Sequence, residues 1–190
     1  MKEHKAVTGK NDLKGKKIVL GVCGGIAAYK APFLIRILRS LGADVTCILT
    51  ENGSKFVTPL TLRTISANKV YDDMFDAESW DVEHVALAKK ADLIVVVPAT
   101  GDAIARFAAG RAEDLLSCVI LAAKARILLC PAMNENMWLH KATQDNVSRL
   151  KTFGYVVMEP AKGELACGDE GIGRLPEIEE IAAHIKELIA

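Results

Sequence analysis

Five aliphatic residues stand in a row at Leu93-Ile94-Val95-Val96-Val97, between Asp92 and Pro98. The run is too short for a core helix, and three of its residues are valines, so it predicts a strand buried on both faces and ended by Pro98. Similar stretches predict strands over 17–22, 43–49, 127–130 and 155–158, with a weak one over 69–71. Between them lie segments of helical character. The first, 26–41, carries Ile26, Leu34, Ile37, Leu38 and Leu41 and stops at Gly42. Others are expected from Ser54 into Leu62 across a proline, and over 82–88, 102–109, 113–123, 142–153 and 177–188, while 160–175 is glycine-rich and irregular. Strands that alternate with helices and are apolar throughout imply an α/β fold, with parallel pairing and helices on both faces.

Length and composition narrow the class further. At 190 residues and 51% hydrophobic, one domain is expected over 16–190, behind a polar, flexible leader over 1–15. Lys plus Arg and Asp plus Glu both number 24. The basic residues form no stripe, so no nucleic-acid partner is expected, and neutrality gives no attraction to a membrane surface. It leaves room for self-association. Five cysteines, at 23, 47, 118, 130 and 167, are odd in number and irregular in spacing, and no secretory leader precedes them. They point to a reducing, cytoplasmic setting. The four histidines are dispersed and no compact ligand spacing occurs, so no metal is expected.

In an open parallel sheet, ligands bind outside the carboxyl ends of the strands. Four loops there carry unusual residues. Pro131-Ala132-Met133-Asn134-Glu135-Asn136-Met137-Trp138 follows a strand and suits a crevice better than a solvent turn, although its methionines and tryptophan can equally pack under a helix. Gly21-Val22-Cys23-Gly24-Gly25-Ile26 permits close backbone approach to an anion or forms a tight structural turn, and it matches neither the dinucleotide nor the phosphate-loop pattern. Ser54 and Thr58 share a helical face and can bind phosphate, or serve as an N-cap and a back-bonding hydroxyl. Pro98-Ala99-Thr100-Gly101-Asp102 offers an apolar shelf with hydrogen bonds for a ring, or a proline-assisted helix start.

Two further residues carry possible proton chemistry. His84 begins a short helix and can orient a carboxylate or exchange protons, against the ordinary alternative of a surface histidine. Cys167 lies in Ala166-Cys167-Gly168-Asp169-Glu170-Gly171-Ile172-Gly173-Arg174, too rich in glycine for a regular element. It can act as a nucleophile or proton donor in a lid, or stand incidentally in a surface loop.

Together, Gly24-Gly25-Ile26-Ala27-Ala28-Tyr29-Lys30, Phe56-Val57-Thr58-Pro59-Leu60, Pro98-Ala99-Thr100, Pro131-Ala132-Met133-Asn134 and Ala166-Cys167-Gly168-Asp169 resemble the homo-oligomeric flavin-containing cysteine decarboxylases, and among them the phosphopantothenoylcysteine decarboxylases. The resemblance runs from Lys16 to Ala190. It implies a three-layer αβα Rossmann-like fold with a central parallel sheet, bound FMN, and a trimer often assembled into dodecamers. The implied reaction turns 4′-phospho-N-pantothenoylcysteine into 4′-phosphopantetheine for coenzyme A synthesis. It passes through thioaldehyde and enethiolate intermediates with no net redox change. Gly25, Ile26, Ser54, Thr58, Pro98, Ala99, Thr100 and Asp102 fall where the family's FMN loops lie. Asn134 matches the asparagine that grips the substrate carboxylate, with Met133, Met137 and Arg174 near the substrate. His84 matches the essential histidine, and Cys167 the proton donor of the return step.

The same resemblance leaves two other outcomes. Relatives that oxidatively decarboxylate a peptide's C-terminal cysteine share the flavin, histidine and asparagine but generally lack the lid cysteine, so Cys167 favours the full cycle. A non-catalytic flavin-binding protein is the second. In many bacteria a phosphopantothenate–cysteine ligase follows the decarboxylase in one chain, so a fused ligase is a further expected partner.

Overall fold

The computed structural model describes residues 12–74, 83–164, 168 and 170–189. The predicted alternation is present. Strands β1 (Lys17–Val22), β2 (Asp44–Leu49), β3 (Val70–Tyr71), β4 (Leu93–Ala99), β5 (Arg126–Pro131) and β6 (Val156–Val157) form one parallel sheet in the order β3-β2-β1-β4-β5-β6. Strand order reverses between β1 and β4, which sets the topological switch point there.

Both faces of the sheet are covered, which is why its central strands are apolar throughout. Ile18, Leu20, Val22, Val45, Cys47, Leu93, Val95, Val97, Leu128 and Cys130 face one layer, built by α1 (Ala31–Ser40), α2 (Pro59–Ser66) and α8 (Ile178–Ile189). Their neighbours Val19, Ile48, Ile94, Val96, Ile127 and Leu129 face the other, built by α3 (Glu83–Lys90), α4 (Gly101–Ala108), α5 (Leu115–Ala122) and α7 (Lys141–Thr152). The period-two division follows from the strand pleat. The fold is thus the three-layer Rossmann-like arrangement.

Several boundaries differ from the sequence expectation, each for a local reason. The helix over 26–41 is a 3-10 turn, Ile26–Lys30, followed by α1, with Pro32 in the first turn of α1 where its missing N–H costs nothing. The helix from Ser54 into Leu62 is likewise two pieces. A 3-10 turn spans Gly53–Lys55, and Thr58, held extended before Pro59, caps a separate α2. Strand β4 runs past Pro98 to Ala99, and its register against β5 shifts between Val96 and Ala99, where proline has no N–H to give the ladder.

A short helix, α6 (Glu135–Leu139), lies in the Pro131–Trp138 run. The segment over 160–175, expected to be irregular, contains an antiparallel hairpin, β7 (Ala161–Glu164) with β8 (Glu170–Arg174). Residues 12–15, placed in the leader by composition, form a docked turn. Leu13 is buried, and its N–H donates to the Leu41 carbonyl at 2.9 Å.

Candidate functional site

A cavity of about 770 Å³ opens at the carboxyl ends of β1, β4 and β5, beside the switch point. That size falls in the range of small-molecule and cofactor sites. One wall is the turn after β1, Cys23–Ala27, with Thr50–Asn52 behind it. Gly24 is required by packing: a Cβ there would lie 2.4 Å from the Asn52 Cβ and 2.8 Å from its backbone. Gly25 is extended, and its N–H turns back to the Cys23 carbonyl at 3.1 Å. Cys23 is a core residue. Burial, then the nearby Asp114 charge, push its thiol up to about 12, so it stays protonated.

The start of α4 forms the second wall. Thr100 caps that helix, its Oγ1 accepting from the Ala103 N–H at 3.2 Å. Asp102 Oδ2 lies 3.0 Å from Arg106 Nε, and Arg106 reaches Asp114 Oδ2 at 2.6 Å. The Asp102 contact is an ion pair without hydrogen-bond alignment, since the buried Nε has no hydrogen-bond partner among the described residues. Asp114 closes a capping box on α5, accepting from the Ser117 N–H at 2.8 Å. Burial alone would raise its carboxyl; the Ser117 bonds and Arg106 outweigh that and hold it below the usual carboxylate value. For Arg106, burial disfavours the charge, yet Asp114 and Asp102 hold its guanidinium above the usual value.

The third wall begins where β5 ends. The Ala132 N–H donates to the Ala99 carbonyl at 3.2 Å, and the Met133 N–H to the Gly173 carbonyl at 2.9 Å. Asn134 caps α6, its Oδ1 accepting from the Asn136 N–H at 2.9 Å. This bond fixes which carboxamide atom accepts, so an anion held by Asn134 is held through Nδ2. Trp138 is buried and its carbonyl accepts from Gln144 Nε2 at 2.6 Å. Within the eight-residue run, then, the tryptophan is core, while Met133, Asn134 and Met137 line the cavity. Arg174 on β8 completes the lining, bonded to Glu177 at 2.5 Å, with a buried Nε that has no hydrogen-bond partner among the described residues.

The structure thus brings together Gly25, Ile26, Thr100, Asp102, Met133, Asn134, Met137 and Arg174. Pro98 and Ala99 are buried in β4 and do not line the cavity. Ser54 and Thr58 do not reach the cavity and share no helical face. Ser54 Oγ donates to the Glu51 carbonyl at 2.6 Å, and Thr58 accepts from the Thr61 N–H at 3.2 Å. His84 is half-buried in the first turn of α3; it is not among the cavity-lining residues. Cys167 lies outside the described residues. Sequence reasoning missed Glu51, Asn52, Arg106, Glu113, Asp114 and Glu164, all in the lining. The available signals were the four-residue spacing of Asp102 and Arg106 and the Asp-x-x-Ser cap at Asp114.

The lining carries five carboxylates, from Glu51, Asp102, Glu113, Asp114 and Glu164, against two guanidinium groups. Arg106 is held between two of those acids, and Arg174, on β8, is bonded to Glu177, which does not line the cavity. Among the described residues, no group of three or more His, Cys, Asp or Glu side chains is placed to hold a metal ion. Nor is any described helix long and apolar enough to cross a membrane.

An open α/β sheet with its cavity at the switch point is the architecture of a cofactor-binding protein. The sequence pattern of the Flavoprotein family matches residues 7–190, and the chain belongs to that family. It is 48% identical over 166 residues to the coenzyme A biosynthesis bifunctional protein CoaBC of Mycolicibacterium smegmatis, covering 87% of this chain and 40% of that protein. With the CoaBC protein of Vibrio cholerae it shares 46% over 179 residues, or 94% of this chain and 45% of that one. The chain therefore spans less than half the length of these curated relatives. Among solved structures, a mutant PPC decarboxylase complexed with pantothenoylaminoethenethiol superposes with a TM-score of 0.84 at 27% identity, covering 90% of this chain and 97% of that one. The FMN-binding protein AtHal3 gives 0.82 at 28% identity, covering 92% and 96%.

Proposed function

We propose that this chain is an FMN-dependent decarboxylase of 4′-phospho-N-pantothenoylcysteine, yielding 4′-phosphopantetheine in coenzyme A synthesis. The observation that carries the reading is that Asn134, from the Pro-Ala-Met-Asn loop, lines the same cavity as the β1 and β4 loops. Resemblance to a mutant PPC decarboxylase complexed with pantothenoylaminoethenethiol supports the substrate, as do the CoaBC relatives.

The residues present fit the ring system of a flavin. The cavity is large enough and lies at the switch point, and Thr100 and Asp102 offer polar atoms along a wall whose one cation is already paired, which suits a neutral ring. Gly25, Ile26, Thr100 and Asp102 would hold FMN directly, with Pro98 and Ala99 buried behind them in β4. Bound FMN supplies a reversible electron acceptor, which a cysteine carboxylate lacks as it loses carbon dioxide. Asn134 holds the substrate carboxylate through Nδ2, and Met133 and Met137 exclude water around the reacting carbons. Arg174, bonded to Glu177 but with a buried Nε that has no hydrogen-bond partner among the described residues, is the lining cation assigned to the anionic substrate. Cys167 serves as the proton donor of the return step, and His84 assists substrate placement. His84 does not line the cavity and Cys167 lies outside the described residues, so both assignments rest on the motif match. A trimer or larger homo-oligomer, cytoplasmic placement and a covalently joined ligase domain belong to the same proposal.

The test is anaerobic incubation of FMN-loaded protein with 4′-phospho-N-pantothenoylcysteine, followed by mass spectrometry. The expected product has lost carbon dioxide alone, without an added electron acceptor. Loss of two further hydrogens would reassign the chain to oxidative cysteine decarboxylation, and absence of conversion by folded, FMN-loaded protein would end this substrate assignment.

A further inference from the structure

Strand β8 meets the Asn134 loop through two neighbouring contacts. One is the Met133 N–H to Gly173 carbonyl bond at 2.9 Å. The other uses a side chain: Glu135 Oε1 accepts the Ile172 N–H at 3.0 Å, across 37 residues of sequence. Gly171 explains how the carboxylate reaches that position. A Cβ on Gly171 would lie 2.7 Å from both Glu135 Cδ and Oε1 and 2.8 Å from Oε2. The Glu135 carboxylate therefore fills the space that any other residue at 171 would claim with its own side chain. Gly171 has no left-handed φ that would otherwise call for glycine.

We propose that Glu135 is a positioning residue, and that Glu135 and Gly171 form a matched pair fixing β8 against the loop of Asn134. The pair sets the spacing of two cavity-lining residues on adjoining segments, Asn134 and Arg174. Asn134 precedes Glu135 directly, and Arg174 lies two residues beyond Ile172. The contact is charge-assisted and its acceptor is half-buried, so it is stronger than a neutral surface bond. It constrains a two-stranded hairpin, which has little independent stability.

Three variants in the full chain test this: Glu135→Ala, Gly171→Ala and the two combined, with Glu135→Gln as the conservative control. The first readout is hydrogen exchange at the Ile172 amide, which needs neither flavin nor substrate. Glu135→Ala should speed that exchange about tenfold, the equivalent of one lost hydrogen bond to a charged group. Gly171→Ala should do the same by expelling the carboxylate. The double variant should be no faster than either single one, because both remove one contact. Glu135→Gln keeps an acceptor oxygen and should restore most of the protection. Unchanged exchange in Glu135→Ala, or additive effects in the double variant, would overturn the pairing.

The second readout rests on the decarboxylase reading above. KM should rise about tenfold in both single variants while FMN content stays at the wild-type level, with Gln rescuing KM. A KM unmoved in an active enzyme would refute the positioning role. Failure of the wild type to turn over would count against the decarboxylase reading and leave the exchange result to judge the pair.

Discussion

The cavity has two kinds of wall. The wall made by the ends of β1 and β4 is continuous with the core: Cys23, Ala99, Ala103 and Ile104 are buried, and Arg106 and Asp114 form a closed network with Asp102 and Ser117. The wall made by β7 and β8 is a hairpin of alternating exposure, with Ile172 only partly packed on the core and Leu175 the first fully buried side chain after it. Among the described residues, it is held to the Asn134 loop by the Met133–Gly173 backbone hydrogen bond and the Glu135 carboxylate. Damage to the first wall should therefore spread to global stability, and damage to the second should stay local and appear in turnover.

The largest effect is expected where the walls meet. Asn134→Asp keeps an N-cap for α6, since aspartate caps as well as asparagine. It removes the carboxamide donor and sets a negative charge against the substrate carboxylate. The value of kcat/KM should fall about a thousandfold with the melting temperature nearly unchanged. Steady-state decarboxylation beside circular-dichroism melting checks this, and a turnover close to wild type would remove Asn134 from carboxylate binding.

Gly173→Ala addresses the hairpin. A Cβ there would lie 2.1 Å from the Met133 carbonyl oxygen, and the φ of +147° already excludes ordinary side chains. Strand β8 must then move off the Asn134 loop, carrying Arg174 with it. About a hundredfold loss of turnover is expected from the misplacement, with little change in the main thermal transition. A large fall in that transition would show instead that the hairpin belongs to the cooperative core, and the contrast between the walls would collapse.

On the core side, Asp114→Ala removes the α5 cap and strips Arg106 of its closer carboxylate. A loss of about 2 kcal/mol in global stability is expected, read by urea denaturation. The pH dependence adds a second measure. Ser117 and Arg106 hold the Asp114 carboxyl below its usual value against the opposing effect of burial. Its contribution is therefore complete above the ordinary carboxylate range and fades as pH falls through the lower folded-state value. Wild type and Asp114→Asn should differ by a constant amount at neutral pH and converge below about pH 4. A gap that persisted in acid would assign the stabilisation to something other than the ionised carboxylate.

These contrasts show which parts of the molecule are legible from sequence. The sheet is, because strands buried on both faces must be apolar at every position, as Leu93–Val97 is. The strand-end loops are also legible, since Asn134, Thr100 and Gly25 sit where the chain changes element. The hairpin is not: β7 and β8 contain Gly163, Gly171 and Gly173, and their glycines answer to contacts with distant groups, as the Glu135 carboxylate at Gly171 shows. Arg106 was hidden for a related reason. A basic residue on an amphipathic helix resembles a surface residue until Asp114, from the next helix, is seen to bury it. Long-range pairing leaves no local period.

Two threonines give the finest comparison. Thr58 and Thr100 both cap a helix, each accepting from the N–H three residues on at 3.2 Å, so local sequence cannot tell them apart. Only Thr100 lines the cavity. Alanine at either position should cost about 1 kcal/mol of stability, the ordinary loss of an N-cap. Flavin binding should separate them. Thr100→Ala should weaken FMN affinity several-fold by flavin fluorescence titration, whereas Thr58→Ala should leave it at the wild-type level. Equal weakening by both would extend the flavin contact to the α2 cap and restore the role that sequence resemblance gives Thr58. The cavity would then be larger in function than the space between its two walls, and an additional surface would have to complete it beside Phe56 and Leu60, both of which are exposed on this chain.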